Sequence, residues 1–560
     1  MQDFVRNFAS QIRNRNTNDL SPELNIRKIF YQFYPTLKKI NVDAIQDPEL
    51  KQQIKRLLKG SYYPPIYADF ENAIKNLKGV PKAKKACSYN NPQKCSMAYV
   101  PNIKSVFAES QDLDELIFYW VEWRNKTTIE AKNSLLYLIN YYQNSTNYDL
   151  WYYGYDSSDF ISELEEVMTS LRPFYLHFHG FLRHELNKKY GDSVVPPGGL
   201  IPHHLIEKAE LQSWKKESIF QNPFPENKLP NLQAELDSLG YTPLKIVKKS
   251  AEFFGSLGIS NLTEYQFYIE KSGPDCKSDI FELADVYLDY CPKSHFKKLL
   301  QTHGDVGRVL YAVQRNKLQL GLNEEPCPGF ASAFGEAAIL SASSPKHIKK
   351  LGLLDNYDYD DETSLNRLFR QAIHTLLTIP EFFVHEKLWV EMIDGKIRPH
   401  EYNCEYWKLM EHYAGVGPPV RRTNDDFDFS HKFYEGIVAE NGHTRKIISE
   451  FLGYQFYRAI CEKSGEFVRG NAYKPLQNCD FFQKREIGSY LNDIMSKGSK
   501  ESWRDVMKPL VGSGKLNAAA LLEFYEPLHV FFEEENFNNN VITGWTSSNS
   551  KYILLHYIKS

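Results

Sequence analysis

The stretch Leu299–Gln314, LLQTHGDVGRVLYAVQ, decides how the rest of the chain is read. Taken back to Phe296, it sets Phe296, Leu299, Leu300, His303, Val306, Leu310 and Val313 at three-to-four spacing, the period of a helix with one buried face. Gly304 and Arg308 stand one turn apart on a shared face, with Asp305 beside them. Helical zinc sites of the HExxH type use this geometry, since i, i+4 spacing brings two imidazoles together and places a general-base glutamate next to them. The spacing is present here, and the residue types that would carry the chemistry are not.

The flanking segments are also helical in pattern. PELKQQIKRLLKG places Leu50, Ile54 and Leu57 or Leu58 on one face and stops at Gly60, and DFISELEEVMTSL repeats the pattern with Ile161, Leu164, Val167 and Leu171. Valine- and isoleucine-rich alternating runs are scarce, so an all-α chain with at most a short hairpin or two is expected. Loops are marked by VVPPGGLIP, NPFPENKLP, EEPCPG and GVGPPVRR, where proline opposes helix interiors and glycine permits positive φ. None has the length of an interdomain linker, and no internal repeat is visible. One domain over residues 1–560, whether or not divided into two lobes, is the simplest organisation.

With 42% of its residues apolar and 14% of all residues aromatic, the chain has enough for a sizeable core. A net charge of −3, from 67 basic and 70 acidic residues without long blocks of either sign, excludes the footprint of a nucleic-acid binder. No apolar run reaches the roughly 18 residues a spanning helix needs, so membrane attachment would require a segment outside this sequence. The eight cysteines contain no CxxC, and six fall in local pairs: Cys87 with Cys95, Cys276 with Cys291, Cys461 with Cys479. Spacing alone leaves the connectivity open, but it favours short-loop disulfides over zinc ribbons. Sequons at Asn125, Asn144 and Asn261 agree with an extracellular chain, secreted or the ectodomain of an anchored protein.

THGDVGRVLYAVQ followed by PGFASAFGEAAILSASSPKHIKKLGLL resembles the angiotensin-converting-enzyme family, the M2 peptidyl dipeptidases, which read HHEMGHIQY and then PGFHEAIGD. KKYGDSVVPPGGLIPHHLIEKAELQSW, GYQFYRAIC and INVDAIQDPELKQQIKRL are similar to further family segments. ALLEFYEPLHVFFEEEN followed by GW is similar to the family's YFxPLxxWLxxxN and GW. The resemblance implies a zincin-type helical ellipsoid, two lobes discontinuous in sequence around a deep channel, with the three local cysteine pairs as its disulfides. Cys327 and Cys404 lie outside that set and either pair with each other or stay free.

The departures are concentrated at the family's chemistry. Aligned on Gly307, the first zinc histidine falls on Gly304, the general-base glutamate on Asp305, the second histidine on Arg308 and the glutamate ligand on Ser332. Two catalytic-side histidines fall on Lys277 and Tyr434, and the transition-state tyrosine on Lys446. Gln212 and Lys432 match the family's substrate-carboxylate residues, Arg445 a chloride-ligating arginine, and Glu336 the acid behind the zinc ligands. For Gln212 and Arg445 a structural role, as a backbone cap or in an ion pair, competes with ligand binding.

The resemblance therefore implies a pseudoenzyme with no catalytic residues and no zinc, chloride being the one candidate ion, acting through a protein or peptide partner. Lys277, Lys446 and Arg308 add positive charge, which favours an acidic peptide. Arg308 is expected to pair with Glu336 or Asp305, while His303 is the one imidazole near the altered motif. A metal-independent hydrolase with Asp305 as base is the alternative enzyme, and a structural extracellular glycoprotein, as a homodimer, the alternative non-enzyme.

Overall fold

The structure is a computed structural model. It describes residues 39–48, 50, 51, 54, 58, 68–144, 153–157, 159–212, 222–259, 267–268, 279–282, 286–290, 294–319, 322–354, 358–429 and 442–546. Three long helices frame it: α1 (Leu113–Asn144), α2 (Phe160–Tyr190) and, further along the chain, Asp361–Ile393. The shorter helices that bear on the site are α3 (His203–Gln212), α4 (Pro243–Ser256), α5 (Phe296–Arg315), α6 (Phe330–Ala342) and α7 (Pro345–Lys350). Asp361–Ile393 is then α8, followed by α9 (Gly442–Lys463) and α10 (Glu526–Asn538). Strands are few among the described residues. β1 (Ile201–Pro202) pairs in parallel with β5 (Val416–Gly417), and a three-stranded sheet runs β2 (Phe267–Tyr268), β4 (Val286–Asp289), β3 (Asp279–Glu282). The expected all-α class with a short hairpin is what the chain adopts: β3 and β4 are that hairpin, and β2 joins β4 in parallel.

Local signals set several ends. Asp360 accepts from the Thr363 amide at 2.8 Å while the Thr363 hydroxyl accepts from the Asp360 amide, a reciprocal cap that starts α8. Ser344 accepts from the His347 amide ahead of Pro345 at the first turn of α7. Proline is less of a breaker than the sequence reading assumed. Pro173 and Pro380 lie inside α2 and α8, and α2 runs on past Leu171 to Tyr190. An interior proline costs about 3 kcal/mol, and burial of Phe174, Tyr175, Phe178, Phe181, Leu182 and Leu186 beyond it offsets that cost. The helix expected before Gly60 falls largely outside the described residues.

The main hydrophobic core draws on α1, α2, α6, α8, α9 and α10, and a second, smaller one surrounds β4 with Ile246, Val247, Leu299, Val309 and Ile348. α5 borders both, sending Val306 and Leu310 into the first and Leu299 and Val309 into the second. Among the described residues no helix is long and apolar enough to cross a membrane.

Candidate functional site

The altered motif lies on α5 where that helix meets α6 at very short range. A Cβ added at Gly304 would stand 2.7 Å from Ile339 Cδ1 and 3.2 Å from the Gly335 carbonyl oxygen. One added at Gly335 would stand 2.7 Å from the Gly304 carbonyl oxygen. Gly307 faces Phe254 and Gly335 in the same seam, and on the other side of α6 Gly453 of α9 leaves room for the Glu336 stem. Glycines thus let three helices pack backbone to backbone, and the space a side chain at position 304 would need is filled by Ile339.

Asp305, next along the helix, is buried and engaged by two cations. Arg308 donates from Nη2 to Oδ1 at 2.6 Å, and Lys298 reaches Oδ2 at 3.4 Å. Of the two partners expected for Arg308, the ion pair goes to Asp305, three residues back on the same helix, rather than to Glu336. Helical geometry explains the choice, because i, i+3 side chains are neighbours whichever way α6 is placed. Lys298 also lies over the Tyr290 ring at 4.7 Å, so both charges flanking Asp305 are held in place.

Glu336 has a different partner, one the sequence reading missed. Its carboxyl and that of Glu450 on α9 interact as like charges while keeping some solvent contact. Burial among protein atoms, then the Glu450 charge, pushes Glu336 up to about 8, with Arg308 opposing. Burial likewise raises Glu450, opposed by the Thr375 hydroxyl, which donates to its Oε1 at 2.7 Å. Two such carboxyls titrate together rather than independently. The available signal was local: Glu450 interrupts a run in which Ile447, Ile448, Phe451 and Leu452 are all buried.

The remaining expected residues are scattered. His303 is fully buried, its Nδ1 2.9 Å from the Leu299 carbonyl oxygen and 3.2 Å from Ser250 Oγ, and its ring packs on Phe253 and His347. Burial first, then His347, holds it down to about 3, so it is a neutral core histidine packed against α4 and α7. Arg445 donates to Glu325 at 3.0 Å, and Glu325 also accepts from the Gly329 and Ala331 amides. The guanidinium matched to a chloride ligand therefore already has a carboxylate, one that caps the start of α6. Lys446 stands over the Phe382 ring at 4.4 Å, and Ser332 is half-buried on α6. Lys277, Lys432, Tyr434 and the Gln212 side chain lie outside the described residues.

Cys87–Cys95 and Cys461–Cys479 are disulfides. Cys276 and Cys291 fall outside the described residues, as does Asn261. Cys327 and Cys404 are not disulfide-bonded to each other; Cys327 is buried and Cys404 half-buried. Asn125 and Asn144 are exposed on α1.

Comparison with known proteins agrees with this arrangement. A family profile described as Peptidase_M2, angiotensin-converting enzyme, matches residues 5–545. The chain is 30% identical over 550 residues to an angiotensin-converting enzyme of Haematobia irritans exigua, covering 94% of this chain and 89% of that protein. It is 29% identical over 519 residues to an angiotensin-converting enzyme-related protein of Drosophila melanogaster, covering 89% and 82%. To the angiotensin-converting enzyme of Mus musculus it is 28% identical over 494 residues, 85% of this chain but 37% of that protein. A match over nearly the whole length, together with the helical frame around α5 and α6, means that the chain belongs to the peptidase M2, or angiotensin-converting enzyme, family.

Proposed function

We propose that this chain is a non-peptidase member of its family, extracellular, and active by binding a protein or peptide. The carrying observation is the contact between α5 and α6. The zinc that the family implies does not fit the residues present: Gly304 offers no donor atom and Ile339 fills its side-chain space, Arg308 is a cation already bonded to Asp305, and Ser332 brings one neutral hydroxyl. Zinc is held by imidazole, thiolate or carboxylate, and three protein ligands are usual in a catalytic site.

Asp305 as a metal-free base has little support, because both of its oxygens face cations. Without a metal or an oxyanion hole nothing would stabilise charge on a scissile carbonyl. The two disulfides and the exposed sequon residues Asn125 and Asn144 favour an oxidising, extracellular setting and a glycosylated surface.

The ligand we propose is an acidic peptide segment. Lys446 is exposed, Lys277 stands where the family has a catalytic-side histidine, and Gln212 with Lys432 would receive a terminal carboxylate. Chloride at Arg445 is not required, because Glu325 meets that charge. The test is a labelled peptide library titrated by fluorescence at low and high salt, with the same library scored for cleavage. Binding of acidic members that weakens with salt, without cleavage, is expected. Release of dipeptides would overturn the non-peptidase reading, and equal, salt-insensitive binding of basic peptides would overturn the ligand class.

A further inference from the structure

A second group of residues with metal-binding chemistry lies on other helices. α2 carries His177, and α10 carries His529 and Glu533 one turn apart, on faces that pack together. Glu533 Oε1 stands 3.6 Å from His177 Nε2 and 3.5 Å from His529 Nε2, and the donor atoms of the three residues all lie within 4.8 Å of one another. A tetrahedral ion with bonds of about 2.0 to 2.1 Å sets its ligand atoms about 3.3 Å apart. Two edges of such a tetrahedron are nearly in place, and rotamer adjustment of the imidazoles closes the third.

We propose that His177, His529 and Glu533 form a surface site for a divalent transition metal of the zinc class, fastening α10 to α2. The site rests on residues independent of the binding role proposed above, and it shares no residue or helix with Gly304, Arg308 and Ser332. The donor set points to this class of ion: two imidazoles and one carboxylate suit zinc, whereas calcium and magnesium take oxygen donors.

The same atoms make a poor set of direct hydrogen bonds. Separations of 3.5 and 3.6 Å exceed ordinary N–H···O lengths. His177 Nδ1 and His529 Nε2 are buried atoms with no hydrogen-bond partner among the described residues. The His529 ring packs against Phe174 at 5.2 Å and against His177 at 5.4 Å. The imidazole side chains are 27% exposed and the carboxylate 50%, so a fourth position is left for water or an outside donor.

The experiment follows the melting temperature of the full chain, stripped with chelator, during titration with ZnCl2, MgCl2 and CaCl2. A saturable rise with zinc alone is expected, with the affinity reduced on the order of tenfold or more in His177→Asn, His529→Gln and Glu533→Gln. Zinc-edge anomalous scattering from zinc-soaked wild-type crystals keeps the question open to refutation if a variant misfolds, with a peak expected between the three side chains. No zinc-dependent rise, a rise unchanged in all three variants, or no peak at this position overturns the proposal. Zinc bound by His529→Gln as tightly as by wild type, together with dipeptide release, would instead count against the non-peptidase reading.

Discussion

Gly304 and Arg308 illustrate how one motif can be altered in two physically different ways. Arg308 points along its own helix and is 36% exposed, so replacing it removes one of two cations from Asp305 and leaves Lys298. Gly304 is enclosed by Ile339 and the Gly335 carbonyl. Glycine in a helix interior is ordinarily a defect of about 0.5 to 1 kcal/mol relative to alanine, but overpacking a tight core costs about 1 to 3 kcal/mol. Gly304→His is therefore expected to destabilise by roughly that larger amount and Arg308→Ala by about 1 kcal/mol or less, because a half-exposed pair is screened. Urea denaturation of the two variants checks the order, and a Gly304→His protein as stable as wild type would show that the helices can part. Restoring the family's ligands as Gly304→His, Arg308→His and Ser332→Glu together should not give a peptidase unless Ile339 is also made smaller, which a dipeptide-release assay reads directly.

Among the elements, α9 carries the largest share of the site's support. Its N-terminal turn holds Arg445 against Glu325, its middle presents Glu450 and Gly453 to α6, and its last turns are tied down by Cys461–Cys479. Tyr457 strengthens that tie, its hydroxyl lying 3.0 Å from the Leu476 carbonyl oxygen and 2.8 Å from that of Cys479. The disulfide closes a sequence separation of 18 residues, and restricting an unfolded loop of that size contributes about 3 kcal/mol. Cys461→Ala with Cys479→Ala should lower stability by about that amount in chemical denaturation, while a change well under 1 kcal/mol would mean that the tyrosine contacts hold the segment unaided. α5 was the most legible element, its apolar period running from Phe296 to Val313 and its observed span being Phe296–Arg315. The end of α2 was not legible, because Pro173 reads locally as a stop and only the core beyond it outweighs the lost hydrogen bond.

At the scale of the whole molecule, Glu336 and Glu450 come from distant parts of the chain and meet only after folding. The pair takes up a proton as the protein folds, since the folded Glu336 value of about 8 lies above its ordinary 4.5. This contribution is present in full below the ordinary carboxylate pKa and is lost as pH rises through the folded one, so stability should decline between about pH 5 and pH 8. Glu450→Gln removes the like charge and should raise the melting temperature at pH 8 while leaving it nearly unchanged at pH 5. Melting curves across that range test the sign, and parallel curves for variant and wild type would show that the two carboxyls do not influence each other's titration.

The sequence by itself determined the helical class, the register of α5 and the residues standing in the altered motif, because periodicity, spacing and residue identity are local properties of the chain. It also placed Cys87 near Cys95 and Cys461 near Cys479, pairs close enough in sequence to be seen without a fold. The tertiary structure decided which charges meet. Arg308 had two acidic neighbours to choose from, and His303 stood one position from the motif yet belongs to a buried cluster with Ser250 and His347. Glu450 showed no relation to Glu336, nor His177 to Glu533, until α9 was packed on α6 and α10 on α2. Contacts between side chains far apart in sequence depend on how helices cross, and the crossing at the altered motif rests on the missing side chains of Gly304 and Gly335.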